Sequence, residues 1–152
     1  KAKFMILSSL RLIFKRDLTK LKQELTLYKH EKKLWNVDGT ISNSGGNLCL
    51  HLVGNLNTYI GATLGNTGYI RDRAAEFGSK NISRDQLIEM VDQTLLVVDN
   101  TLANLQENEL AKEFPVIVFD AATTTGYMLM HLAAHLGYHL GQLNYHRRLL
   151  DC

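Results

Sequence analysis

The sequence predicts an all-α protein, an up-and-down four-helix bundle, and three observations predict it. Four segments of roughly twenty or more residues carry apolar side chains every third or fourth position, the period of a helix with one buried face. The 152 residues contain a single proline, Pro115, the residue least tolerated inside helices. Hydrophobic residues make up 45% of the chain and charged residues 21%, which supplies one core and excludes disorder, collagen and a small disulfide scaffold.

The first helix is expected over residues 2–30, where Leu18, Leu21, Leu25 and Tyr28 repeat at helical spacing and lysines and Glu24 fill the other faces. Residues 31–38 and Gly39 close it. A second helix opens in the turn-forming cluster 42–46 and runs to Leu64, with Leu48, Leu52, Leu56 and Tyr59 as its stripe. Residues 65–83 read as a long polar connection with Gly65, Gly68 and Gly78. Its length marks it as functional or mobile and places it at the mouth of any pocket, with no individual residue assigned a role.

Ser83 and Gln86 form a capping box for a third helix that carries Leu87, Val91, Leu95, Val98, Leu102 and Leu105 and is expected to reach Leu110. Pro115 and the β-forming run 116–119 then break the pattern, as a short extended piece or hairpin arm over one end of the bundle. The fourth helix is expected from the threonines at 123–125 to Leu150. No internal repeat, low-complexity tract or linker divides the chain, so a single domain is expected over residues 1–152.

Seventeen Lys and Arg against fifteen Asp and Glu leave a net charge of +2, too small an excess to advertise nucleic acid. No stretch is apolar for long enough to predict a transmembrane helix. Residues 1–14 make a poor signal peptide, and the start on Lys1 reads as a processed or trimmed one. Cys49 and Cys152 lie far apart with no zinc-binding spacing, so a reducing cytoplasm is the plainer setting and Cys49 a buried small hydrophobe.

The chemistry rests on histidine. His131, His135, His139 and His146 share the last helix within an arc of roughly 80°, bordering the leucine stripe. His135 and His139, one turn apart, can reach one ion at about 2.0–2.1 Å. His131 and His135 have the same spacing, but one ion cannot take all three, and His146 lies roughly 10 Å further along the axis. A third ligand must come from another helix, and His51, beside the stripe of the second helix, is the candidate. The plainer alternative is a set of amphipathic histidines with ordinary hydrogen bonds. His30, among charges, is expected to be solvated.

The Glu of a metalloprotease helix is absent between these histidines, and the last helix lacks the Glu-x-x-His of di-iron bundles. Gln142 can hydrogen-bond an imidazole or a bound ligand, or simply pack with its amide exposed. Asn55 has the same two readings, with packing favoured. Tyr138 is expected to pack, and Cys49 points away from His51. His131 is expected as a hydrogen-bonded histidine behind the ligands. Arg147 and Arg148 suit a helix C-terminus or an anionic thiol.

Residues 135–143, His-Leu-Gly-Tyr-His-Leu-Gly-Gln-Leu, resemble the C-terminal signature of the DinB-like superfamily, and residues 47–52 around His51 resemble its second-helix histidine. Many relatives carry histidine and arginine where Tyr138 and Leu140 stand. The resemblance implies a four-helix bundle, commonly dimeric, with a divalent ion, zinc or nickel, on His51, His135 and His139. It also implies an enzyme acting with a small-molecule thiol (bacillithiol, mycothiol or glutathione) on an electrophile, as S-transferase or isomerase. The alternatives are a metal-dependent hydrolase, for which the histidine helix offers no evident acidic general base, and a non-catalytic, stress-related metal-binding bundle. Three neutral imidazoles leave an ion its double positive charge and an open position, the arrangement of a catalytic site.

Overall fold

Residues 5–152 are described by the computed structural model; the expected helix start at residues 2–4 lies outside them. Helix α1 (Ile6–Thr26) buries Leu7, Leu10, Phe14, Leu18, Leu21 and Leu25 at steps of three and four. It ends four residues earlier than its periodicity suggests. Tyr28 leaves the helix to enter the core, where its hydroxyl meets His146 Nδ1 at 2.7 Å, the partner a buried phenol requires. A 3-10 turn, Glu31–Trp35, then sets Leu34 and Trp35 into the core.

Ser44 caps helix α2 (Gly45–Leu56) by accepting from the Asn47 backbone N–H. Every residue of α2 is buried, so its polar side chains need partners or a purpose. The helix continues through a π-helical stretch, Asn57–Ala62, and a last turn, Thr63–Gly65, before Asn66 takes a left-handed φ of 51°. This total span matches the expected one, while the π turn is unannounced in the periodicity. Asn57 Nδ2 there donates to Val53 O and Thr94 Oγ1, both at 2.9 Å.

The connection 65–83 is not wholly irregular. It contains helix α3 (Arg73–Gly78), capped by Asp72, and this helix packs against α2. The capping box at Ser83 and Gln86 opens α4 (Arg84–Asn104) as expected, but α4 stops short of residue 110. Leu105 turns extended, which lets Glu107 reach across and accept from Ile6 N at 2.7 Å at the start of α1. Residues 113–124 form a hairpin-like arm closed by the Glu113–Thr124 bridge, with Phe114 buried beneath it. Thr124 then caps α5 (Thr125–Leu150).

The result is an all-α bundle. α1 packs against α4 and α5, and α2 packs against the same two, so α1 and α2 face each other across the core. Arg147 of α5 is committed to Glu24 of α1 at 2.7 Å, while Arg148, exposed, lies over the Tyr145 ring. Cys49 and Cys152 are both free thiols. None of the described helices is long and apolar enough to cross a membrane.

Leu52, fully enclosed at the centre of α2, is expected to cost about 2–5 kcal/mol on change to Ala, and loss of the α4 cap in Ser83→Ala about 1 kcal/mol. Urea unfolding of the two variants measures both, and a smaller loss for Leu52→Ala than for Ser83→Ala would contradict this packing.

Candidate metal centre

His51 projects from the middle of α2 towards α5, where His135 and His139 lie one turn apart. His135 Nε2 stands 3.2 Å from His51 Nε2 and 3.1 Å from His139 Nε2. One ligand-capable nitrogen from each ring falls within 4.8 Å of the other two. The ring planes are steeply inclined to one another, at 73°, 87° and 85°, while the short Nε2 distances show that the nitrogen edges converge. Ligand atoms around a tetrahedral ion at about 2.0–2.1 Å are themselves about 3.3 Å apart, close to two of the three spacings, those that His135 makes.

The other expectations for histidine divide. His131 stacks on the His135 ring at 6.1 Å and meets Phe119 edge-on at 4.8 Å, so it stands behind that ring and outside the group of three. His146 belongs to a separate network, between the Tyr28 hydroxyl and Asn36 O. His30 is exposed, with Nδ1 3.1 Å from Asp151. Tyr138, expected to pack, is 65% exposed.

Behind the three rings lie groups that set their protons. His51 Nδ1 is 3.0 Å from Glu76 Oε2, so Nδ1–H donates to the carboxylate and Nε2 keeps its lone pair. His139 Nδ1 donates to Gln142 Oε1 at 2.7 Å, one of the two readings open for Gln142, and Gln142 is itself exposed. Arg71 grips Glu76 with Nε at 2.6 Å and Nη2 at 2.9 Å. Asn47 Nδ2 donates to the backbone oxygens of Glu76 and Ser79, which fastens α3 to α2.

Arg71 and Glu76 are the site residues that the sequence reading missed, because they lie in the connection 65–83 where no side chain had been given a role. An acid therefore does stand beside the histidines. Their one trace in the sequence is Gly54, a weak helix former inside α2. A Cβ on Gly54 would collide with Glu76 Oε1, so only glycine admits the carboxylate.

Burial pulls the Glu76 carboxyl upward, but hydrogen bonds from Arg71 and His51 outweigh it and hold the group below the usual range. Burial lowers His51, with Glu76 opposing only in part. Burial, then the neighbouring histidines, pushes His135 down to about 4. His51 and His135 are therefore neutral near pH 7, the form in which a ring nitrogen can bind a metal. Two buried side-chain atoms among the described residues have no partner, Asn55 Oδ1 and His135 Nδ1. Asn55 is 7% exposed, so its amide is not the solvated one expected. The converging nitrogens, two of them backed by an acceptor, fit a divalent cation.

A family model described as a protein of unknown function (DUF1572) matches residues 5–151. The chain belongs to the DUF1572 family. No curated protein matches it significantly. Among solved structures this DUF1572 chain resembles the crystal structure of a conserved protein from Enterococcus faecalis, with a TM-score of 0.77 and 14% identity over 97% of this chain and 98% of that one. At that identity the likeness shows the shared fold alone.

Two outcomes follow for the DUF1572 chain. Gly54→Ala would gain about 1 kcal/mol in an open helix, but here it is expected to lower the urea midpoint by displacing Glu76. His135 titrates lower when folded, at about 4 against 6.5, so the unfolded chain takes up its proton first as pH falls. Stability is then full above pH 6.5 and declines between 6.5 and about 4, which urea titrations across that range test.

Proposed function

We propose that this protein is a DinB-like metal-dependent enzyme that holds one divalent ion, zinc or nickel, on His51, His135 and His139 and activates a small-molecule thiol for S-transfer or isomerisation. The observation that carries the reading is the approach of three imidazole Nε2 atoms from two helices, with 3.1 Å and 3.2 Å between neighbours. When bound, such an ion supplies a positive charge and an open position that favour a deprotonated thiol.

The chain's own residues prepare that site. Glu76 and Gln142 hold the protons of His51 and His139 on the outer nitrogens, which keeps the inner ones free. Arg71 keeps Glu76 ionised and in place. Because Glu76 is already engaged by Arg71 and His51, it is poorly placed to serve as a general base, which favours thiol activation over hydrolysis.

The reading includes a homodimer. Tyr127, Met130, Tyr138, Tyr145 and Leu149 form an exposed apolar stripe along α5, which carries no Asp, Glu, Lys or Arg between Thr125 and His146. A contiguous apolar face of this kind suits a self-complementary contact. The free cysteines are in keeping with a reducing cytoplasm.

Metal analysis of protein purified without a His-tag is expected to find one ion per chain, lost in His51→Ala, His135→Ala and His139→Ala and kept in His131→Ala and His30→Ala. The loaded protein is expected to consume glutathione or a related thiol in the presence of an alkylating electrophile. An ion without thiol consumption would refute the transferase reading. Equal metal loss from His131→Ala would refute the ligand set.

A further inference from the structure

Asn55 is unusual among the buried polar residues of this bundle because its Oδ1 has no donor. A buried carbonyl left without a partner is destabilising, and an apolar residue in its place would avoid that cost. The other buried orphan is His135 Nδ1, on the helix that packs against α2. The two atoms are complementary in one protonation state only. If His135 Nε2 ligates an ion, the proton of the neutral ring must sit on Nδ1, and that N–H needs an acceptor. His51 has Glu76 and His139 has Gln142 for this purpose, and His135 alone has none.

The helix directions bring Asn55 to the right level. Gly45, at the start of α2, lies against His146, since a Cβ there would stand 3.4 Å from His146 Nδ1. His51, further along α2, meets His135 and His139, which precede His146 on α5. The two helices therefore run in opposite directions. One turn beyond His51, Asn55 comes level with the turn from His131 to His135. Helical side chains tilt towards their own N-termini, so Asn55 leans back to the level of His51 while His135 leans back towards Asn55.

We infer that Asn55 is the positioning residue of His135: its side-chain oxygen takes the Nδ1–H of His135 in the metal-loaded protein. This rests on the three-histidine reading and extends it to the one ligand that lacks a fixed proton. Without that contact Asn55 Oδ1 has no partner and is carried at a cost to stability.

The test uses the full chain with zinc alone as probe. Asn55→Leu keeps the shape and removes the acceptor, and Asn55→Asp keeps an acceptor. Competition against a chromophoric chelator is expected to show zinc bound about 10–100-fold more weakly by Asn55→Leu and at least as tightly by Asn55→Asp. The urea midpoint of metal-free Asn55→Leu is expected to equal or exceed that of the unaltered protein. A purely structural amide would move it down. With ring-15N histidine, zinc-loaded protein is expected to show a slowly exchanging His135 Nδ1–H that Asn55→Leu loses and Asn55→Asp keeps. Unchanged zinc affinity and an unchanged His135 signal in Asn55→Leu would overturn the role of Asn55 while leaving the three-histidine site standing. Failure of the unaltered protein to bind zinc would overturn both.

Discussion

Three imidazole nitrogens within a few ångströms of one another repel unless a proton or a cation lies between them, and the arrangement of residues around the histidine cluster follows from that constraint. A proton can serve only one pair of nitrogens at a time. Glu76 and Gln142 draw the protons of His51 and His139 outward, which leaves inward lone pairs facing His135. The protein thus uses hydrogen bonds on the far side of each ring to create a concentration of lone pairs on the near side. The polar residues of α2 are intelligible in these terms: Asn47 anchors the helix that carries Glu76, Gly54 makes room for its carboxylate, and His51 receives it.

That local demand is met inside an otherwise ordinary hydrophobic scaffold. α1 and α4 supply leucine and valine contacts and bring nothing to the histidine cluster, while α2 and α5 carry both the core and the site. On α5 the leucines at 129, 132, 136 and 143 are buried, and His135 and His139 stand at the edge of that stripe. Placement at the border of the core lowers the local dielectric enough to keep His135 neutral without closing the cluster off from solvent.

The bundle itself was legible because its signals are local. Leu18, Leu21 and Leu25, or Leu48, Leu52 and Leu56, state a buried face by their spacing, and Ser83 with Gln86 states a helix start. The convergence of His51 with His135 and His139 was legible as a candidate because two of the three lie on one helix and the third has the same relation to its own stripe. Helix ends were harder. Leu105 continues the period of α4 although its backbone has already turned extended, and Tyr28 continues that of α1 although it has left the helix. Glu76 and Arg71 were invisible for a different reason: a six-residue helix within a polar connection has no periodicity to read, and its pairing with His51 is purely tertiary.

The double grip of Arg71 on Glu76 joins the connection between α2 and α4 to the histidine cluster, so the two are coupled. As long as the connection is seated, His51 has a carboxylate behind it and stays a strong donor. Should that segment lift away, His51 loses its acceptor and becomes an ordinary imidazole, one that yields its place to a competing chelator or a proton. Seating of the connection and readiness of the cluster are therefore one property, set by the same carboxylate.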